Sequence, residues 1–190
     1  MLDFRVMNVK LRMKTTEIDI FALPIVTMVF CVAADYVIQV DFFGSKTIQY
    51  ILDNITHGAI ALLIVLPYGL GTKPTSLGIP LLGAVVAMLL DVDHFLSATG
   101  GRSGAHSLTV AFLLALIVYL SQHRFRPAWV VFLALSSHVI RDAAFGGVSL
   151  FYPAPSKIIV PYALYLLIIL TLQQAVFYER KRTLSLSSNP

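Results

Sequence analysis

Six long apolar runs, at residues 18–43, 47–68, 76–98, 105–122, 127–146 and 157–178, constrain this chain more than any motif in it. A helix needs about 20 mostly apolar residues to cross the hydrocarbon core of a bilayer. Only a helix or a closed barrel satisfies its own backbone N–H and C=O groups once water is excluded. Glycine and proline punctuate the runs: Pro67, Gly69, Gly71 and Pro74; then Gly100, Gly101 and Gly104; then Gly146, Gly147, Pro153 and Pro155. The chain is 57% hydrophobic and 13% charged, where soluble domains carry about 25% charged residues. The expectation is an all-α polytopic membrane protein, a bundle of about six transmembrane helices with the lipid bilayer as its partner and solvent. The second run is the weakest, because Asp53, Asn54 and His57 dilute its opening turns. The single cysteine, Cys31, lies inside an apolar run and excludes a disulfide framework.

The chain carries a formal charge of +4, which in a membrane protein reports on orientation rather than on nucleic acid. Six spans place both termini on one side. That side holds ten basic residues: Arg5, Lys10, Arg12, Lys14, Lys73, Arg124, Arg126, Arg180, Lys181 and Arg182. The opposite side holds three, Lys46, Arg102 and Lys157, and Arg141 is inside a span. The positive-inside rule therefore places both termini in the cytoplasm. No repeat or long linker divides the chain. It reads as a basic, amphipathic N-terminal segment over 1–17, a transmembrane domain over 18–178 and a cytoplasmic tail over 179–190. The N-terminal segment does not read as a secretory signal, since the apolar run behind it is too long. Integral, multi-pass placement is expected, in an endomembrane or plasma membrane if the chain is eukaryotic.

Ionisable residues inside spans cost about 2.5–3.5 kcal/mol each on insertion scales, so each is a functional candidate. Here they are Asp35, Asp53, His57, Asp91, Asp93, His94, His106, His138, Arg141 and Asp142. At 1.5 Å per residue, the topology puts Asp35 about 12 Å below the outer end of its span. Asp53 falls about 9 Å deep, Asp91 about 10 Å, Asp142 about 6 Å, and His57 and His138 about 12 to 15 Å. His106 sits at the outer start of the fourth span. Five helices thus bring polar groups to one slab in the non-cytoplasmic half. The orientation came from lysine and arginine alone, so this convergence is independent of it.

Spacing adds detail. Asp53 and His57, and His138 and Asp142, are four apart and share a helix face; Asp91 and His94 are three apart and do the same. Carboxylates and imidazoles from facing helices are how bundles build metal sites. Donors of oxygen and nitrogen without sulfur suit Zn, Mn or Fe, and carboxylate-rich sites also suit Mg. Taken singly, each group has a structural reading too: an interhelical hydrogen bond for His138 and Asp142, an interfacial acidic loop for "DVDH", snorkelling for His106. His123, between basic Arg124 and Arg126, reads as a headgroup contact. Arg141 can pair with a carboxylate or receive an anionic substrate group.

The stretches "NITHGAI", "LLDVDHFLS", "GRSGAHSL" and "SSHVIRDAAFGGVSLFYPAP" occur in an order that resembles the YdjM-like family of LexA-binding, inner membrane-associated metal-dependent hydrolases. The closer likeness is to the eukaryotic transmembrane protein 267 family, which shares the "DN…H", the "DVDHF" and the "SHxIRD" with its arginine. The resemblance covers residues 30 to 165. It implies metal residues at His57, Asp91, Asp93, His94, His106, His138 and Asp142. One departure is clear: Gly101 stands where the bacterial family has the first histidine of H-R-G-x-T-H.

The leading expectation is a membrane-embedded metal-dependent hydrolase with a site open to the non-cytoplasmic side and a lipid-like or phosphoester substrate. In it His138, Asp142 and Arg141 carry the chemistry, the metal residues hold one or two divalent ions (Zn, Mn or Mg), and Asp53 and Asp35 support them from behind, Asp53 by orienting His57. The aromatic turn Phe151-Tyr152-Pro153 is placed to close over the pocket. Two other classes stay open: a metal-ion or proton-coupled transporter, and a non-catalytic membrane protein with a structural metal or none, which the glycine at 101 favours.

Overall fold

A computed structural model describes residues 4–40, 42–70, 77–91, 106–154 and 157–187. The described chain is helical throughout. In order it forms α1 (Phe4–Gln39), α2 (Lys46–Val65), a short 3-10 turn at Leu66–Tyr68, α3 (Gly78–Leu89), α4 (Leu108–Gln122), α5 (Phe125–Phe145) and α6 (Tyr162–Ser187). Among the described residues the sheet-like pairing is one antiparallel bridge, Val148 with Ile158.

Each of the six apolar runs has become a helix, but not of equal length. Among the described residues, four stretches are long and apolar enough to cross a membrane: Phe21–Gln39, Lys46–Tyr68, Phe125–Phe145 and Tyr162–Thr183. Helices α3 and α4 have 12 and 15 residues, about 18 and 22 Å at 1.5 Å per residue, short of a core of about 30 Å. The chain between them, 92–105, lies outside the described residues. Helix α1 continues without a break from the basic N-terminal segment into the first apolar run. Helix α6 starts five residues later than its apolar run, because Val148 and Ile158 exchange backbone hydrogen bonds and Val160 N–H donates to the Ala143 carbonyl first.

Local chemistry sets the ends. Ser107 caps α4 by accepting from the Val110 N–H at 3.2 Å. His123 closes α4 in the left-handed region at φ 51°, with its N–H on the Tyr119 carbonyl. That backbone role had no counterpart in the headgroup reading of the sequence. Helix α5 stops at Gly146, and Gly147 turns the chain at φ 68°.

Helix α5 is the hub: α2, α3, α4 and α6 all pack on it, while α1 lies outside against α2 and α6. Small residues let the helices meet. A Cβ on Gly58 would come within 2.7 Å of Met88, and one on Gly83 within 2.9 Å of Val65, so α2 and α3 touch nearly backbone to backbone. Three hydroxyls bond within their own helices: Thr27 to the Leu23 carbonyl, Thr56 to Leu52, Ser137 to Ala134. At the end away from the polar cluster, Gln173 donates to Thr27 Oγ1 at 2.8 Å and to the Leu63 carbonyl at 2.9 Å, which ties α6 to α1 and α2. Between that clamp and the polar cluster, Ile60, Ile64, Val130 and Leu133 fill the middle of the bundle.

Candidate metal centre

Helix α5 carries His138, Arg141 and Asp142 into the bundle, all three buried. The imidazole of His138 is fixed by its Nδ1, 2.9 Å from the Ala87 carbonyl oxygen at the end of α3. A carbonyl only accepts, so Nδ1 carries the ring proton and Nε2 keeps its lone pair. That Nε2 lies 3.2 Å from Asp91 Oδ1 and 3.4 Å from Asp142 Oδ2, yet makes no hydrogen bond with either. A lone pair aimed at two carboxylates repels them, and in a buried site the repulsion is strong. A cation between the three groups reverses the sign. A second ring proton would do so as well.

The neighbours agree with a metal ion. His106, just ahead of α4, places Nε2 3.4 Å from Asp91 Oδ1 and 3.6 Å from Asp142 Oδ2. His57 on α2 stacks on His138 with centroids 3.6 Å apart, and its Nε2 is 3.4 Å from Asp142 Oδ1 and 4.0 Å from Asp91 Oδ2. One donor atom from each of His57, Asp91, His138 and Asp142 falls within 4.8 Å of all the others. A tetrahedral ion with bonds of about 2.0–2.2 Å holds its donors about 3.3–3.6 Å apart, so the four separations of 3.2 to 3.6 Å from His138 and His106 to the two carboxylates need little contraction. The donor set is nitrogen and oxygen without sulfur, the chemistry of Zn, Mn or Mg. The residues fit a divalent ion.

Arg141 has taken the carboxylate partner. Its Nε donates to Asp35 Oδ1 at 2.9 Å, and one terminal nitrogen donates to Asp53 Oδ1 at 2.6 Å and to His57 Nε2 at 3.0 Å. The guanidinium also lies 5.4 Å over the Phe145 ring. Tyr162 completes the chain by donating to Asp35 Oδ2 at 3.0 Å. Asp53 does not orient His57 directly: its Oδ2 stays 4.0 Å from Nε2, and Arg141 bridges the two residues.

The structure thus brings together His57, Asp91, His106, His138 and Asp142, with Arg141, Asp35 and Asp53 alongside. Asp93 and His94 lie outside the described residues, as do Gly101 and Arg102. Ahead of the aromatic turn, the Leu150 carbonyl accepts from the Leu108 N–H beside His106. Phe151 and Tyr152 themselves are exposed. Sequence reasoning missed Tyr162 and Asn54, whose amide donates to the Met88 carbonyl at 3.2 Å and pins the end of α3 next to Asp91. Asn54 stands beside Asp53 and is the sort of polar residue in a span that signals a role; Tyr162 gave no such signal.

Comparison with known proteins covers most of this machinery. Residues 52–186 match the family described as YdjM inner membrane protein, a span that includes every residue of the cluster. Transmembrane protein 267 of Mus musculus is 29% identical over 133 residues, which are 60% of this chain and 61% of that protein's length. The chain therefore spans less than two thirds of this curated relative. No solved structure matches.

Proposed function

The chain belongs to the YdjM inner membrane protein family, and from that premise we propose that it is a membrane-embedded metal-dependent hydrolase whose substrate is a lipid-like phosphoester. The observation that carries the reading is His138: its tautomer is set by the Ala87 carbonyl and its bare Nε2 faces Asp91 and Asp142. A histidine held this way by a backbone acceptor is how proteins present imidazole to a metal.

A divalent ion, when bound, supplies Lewis acidity and brings the pKa of a water down to about 7. The chain's own residues do the rest. Asp91 and Asp142 hold the ion from α3 and α5, and His106 and His138 close the set. Arg141, anchored on Asp35 and Asp53, holds His57 against Asp142 and brings positive charge to the side where a phosphoester would lie. Asp53 is the most open member, its side chain 33% exposed, and marks the mouth. By the basic-residue count that mouth faces the non-cytoplasmic side. A substrate arriving there comes from the outer leaflet, which favours an amphipathic molecule.

Transport finds less support. One and two turns inward of the cluster the buried residues include Ala61, Ile64, Val130, Leu133 and Ala134, and the polar pair at that level, Gln173 and Thr27, is not titratable.

The test uses purified full-length protein, loaded with Mn or Zn and mixed with vesicles containing phosphatidic acid or a phosphodiester lipid. Expected is release of phosphate or headgroup that a chelator abolishes and that His138→Ala lacks. A metal-loaded protein inert on both lipid classes would point to the non-catalytic reading instead. Orientation is checked separately: Ala154→Cys in sealed right-side-out vesicles should react with an impermeant maleimide, and protection of that cysteine would reverse the mouth.

A further inference from the structure

The two carboxylates at the centre have two oxygens each, and the four oxygens divide into two sets. Asp91 Oδ1 and Asp142 Oδ2 face His138 Nε2, at 3.2 and 3.4 Å, and His106 Nε2, at 3.4 and 3.6 Å. Asp142 Oδ1 and Asp91 Oδ2 face the other way, toward His57 Nε2, at 3.4 and 4.0 Å. Asp53 Oδ2 lies 4.0 Å from the same nitrogen. Paired carboxylates splayed between two groups of histidines are how two-ion sites are built, with ions about 3.5–4 Å apart.

The second lobe already holds a cation. A terminal nitrogen of Arg141 sits 2.6 Å from Asp53 Oδ1 and 3.0 Å from His57 Nε2. Arginine has no acceptor and stays charged, so in that contact it must donate, and the lone pair of His57 Nε2 is taken. A nitrogen that accepts from a guanidinium cannot ligate a metal through the same pair. His57 therefore belongs to the arginine, whereas His106 and His138 face the first set of oxygens.

We propose that Arg141 is a built-in second cation, so that this protein binds one divalent ion, between His106, His138, Asp91 Oδ1 and Asp142 Oδ2, in a framework laid out for two. The proposal rests on the metal reading above and goes further by fixing the number of ions and the residues that hold the one. The electrostatics favour it. Among the described residues, Asp35, Asp53, Asp91 and Asp142 bring four carboxylates to one region. A divalent ion offsets two, on Asp91 and Asp142, and the guanidinium offsets part of the pair on Asp35 and Asp53. Two divalent ions beside Arg141 would crowd three cations together.

The experiment counts ions. Full-length protein is loaded with Mn²⁺, freed of excess by dialysis, and measured by metal analysis and by electron paramagnetic resonance. The parent should carry one ion per chain with the signal of an isolated Mn²⁺. His106→Gln should lose the ion and His57→Gln should keep it. Arg141→Ala vacates the second lobe and should bind a second Mn²⁺, with an exchange-coupled signal, while Arg141→Lys keeps a cation there and stays at one. Two ions in the parent overturn the proposal, and so does a well-folded Arg141→Ala that still binds one. If Arg141→Ala does not fold, the histidine pair decides: an ion lost from His57→Gln and kept by His106→Gln reverses the assignment. A parent with no ion at all fails the metal reading itself, a different result from a parent with the wrong number.

Discussion

Helices α1 and α5 bury their residues in the opposite order to their hydropathy. Along Phe21–Gln39 of α1 the mean hydropathy is 2.1 and four residues are buried; along Phe125–Phe145 of α5 it is 1.3 and 14 are buried. In water the more apolar helix would go inside. In a bilayer the surrounding lipid is as apolar as leucine, so nothing drives valine or phenylalanine inward, and the polar and small residues take the interior. Even on α1 the rule holds. Its buried positions in this stretch are Thr27, Cys31, Asp35 and Ile38, a stripe three and four apart. That stripe delivers Thr27 to Gln173 and Asp35 to Arg141. Phe21, Val29 and Tyr36 face out.

Three substitutions can break or sharpen this contrast. The largest effect on stability should come from Asp35→Ala on the otherwise peripheral helix. It leaves a buried guanidinium short of one partner, and breaking a buried pair costs about 3–5 kcal/mol; the surviving Asp53 contact puts the expected loss at the lower end. Chemical unfolding in mixed micelles measures it, and a loss below about 1 kcal/mol would mean that the ion pair does not hold α1 to the bundle. Next comes Gly83→Ala. Its new Cβ would lie 2.9 Å from Val65 Cγ2, a branched side chain with little room to turn. Overpacking of this kind costs about 1–3 kcal/mol, and a neutral result would show that α2 and α3 can separate freely. The smallest effect belongs to Val29→Ala. That side chain is 63% exposed, and the change should stay within about 0.5 kcal/mol. If Val29→Ala cost as much as Asp35→Ala, hydropathy rather than polarity would be organising the helix.

The same contrast explains what was legible in the sequence. Six apolar runs foretold six helices, because hydrocarbon leaves the backbone little alternative. Lengths were less legible: Leu89 and Leu90 read as mid-span, yet α3 ends there. The site was legible because polar groups in a span are costly and stand out. His57, Asp91, His106, His138 and Asp142 were all marked by type, and helical spacing already paired His138 with Asp142. What spacing could not tell was which carboxylate Arg141 would choose, since Asp35 is 106 positions away and Asp53 is 88. Nor could it show the Ala87 carbonyl that sets the His138 tautomer, because every residue has a carbonyl and none is marked in a sequence. From sequence the aromatic turn Phe151-Tyr152-Pro153 reads as a lid over the pocket, whereas the contact beside the site is a backbone one, through Leu150.

The most direct test of the central claim is the divalent metal content of the purified protein beside that of Asp142→Asn. The amide keeps the shape of the side chain and one acceptor oxygen but removes the charge that faces His138 and His106. The account predicts a bound divalent ion in the parent and its loss from the variant, with the variant still folded as judged by its unfolding transition. A parent without metal, or a folded Asp142→Asn that retains its full complement, would contradict it.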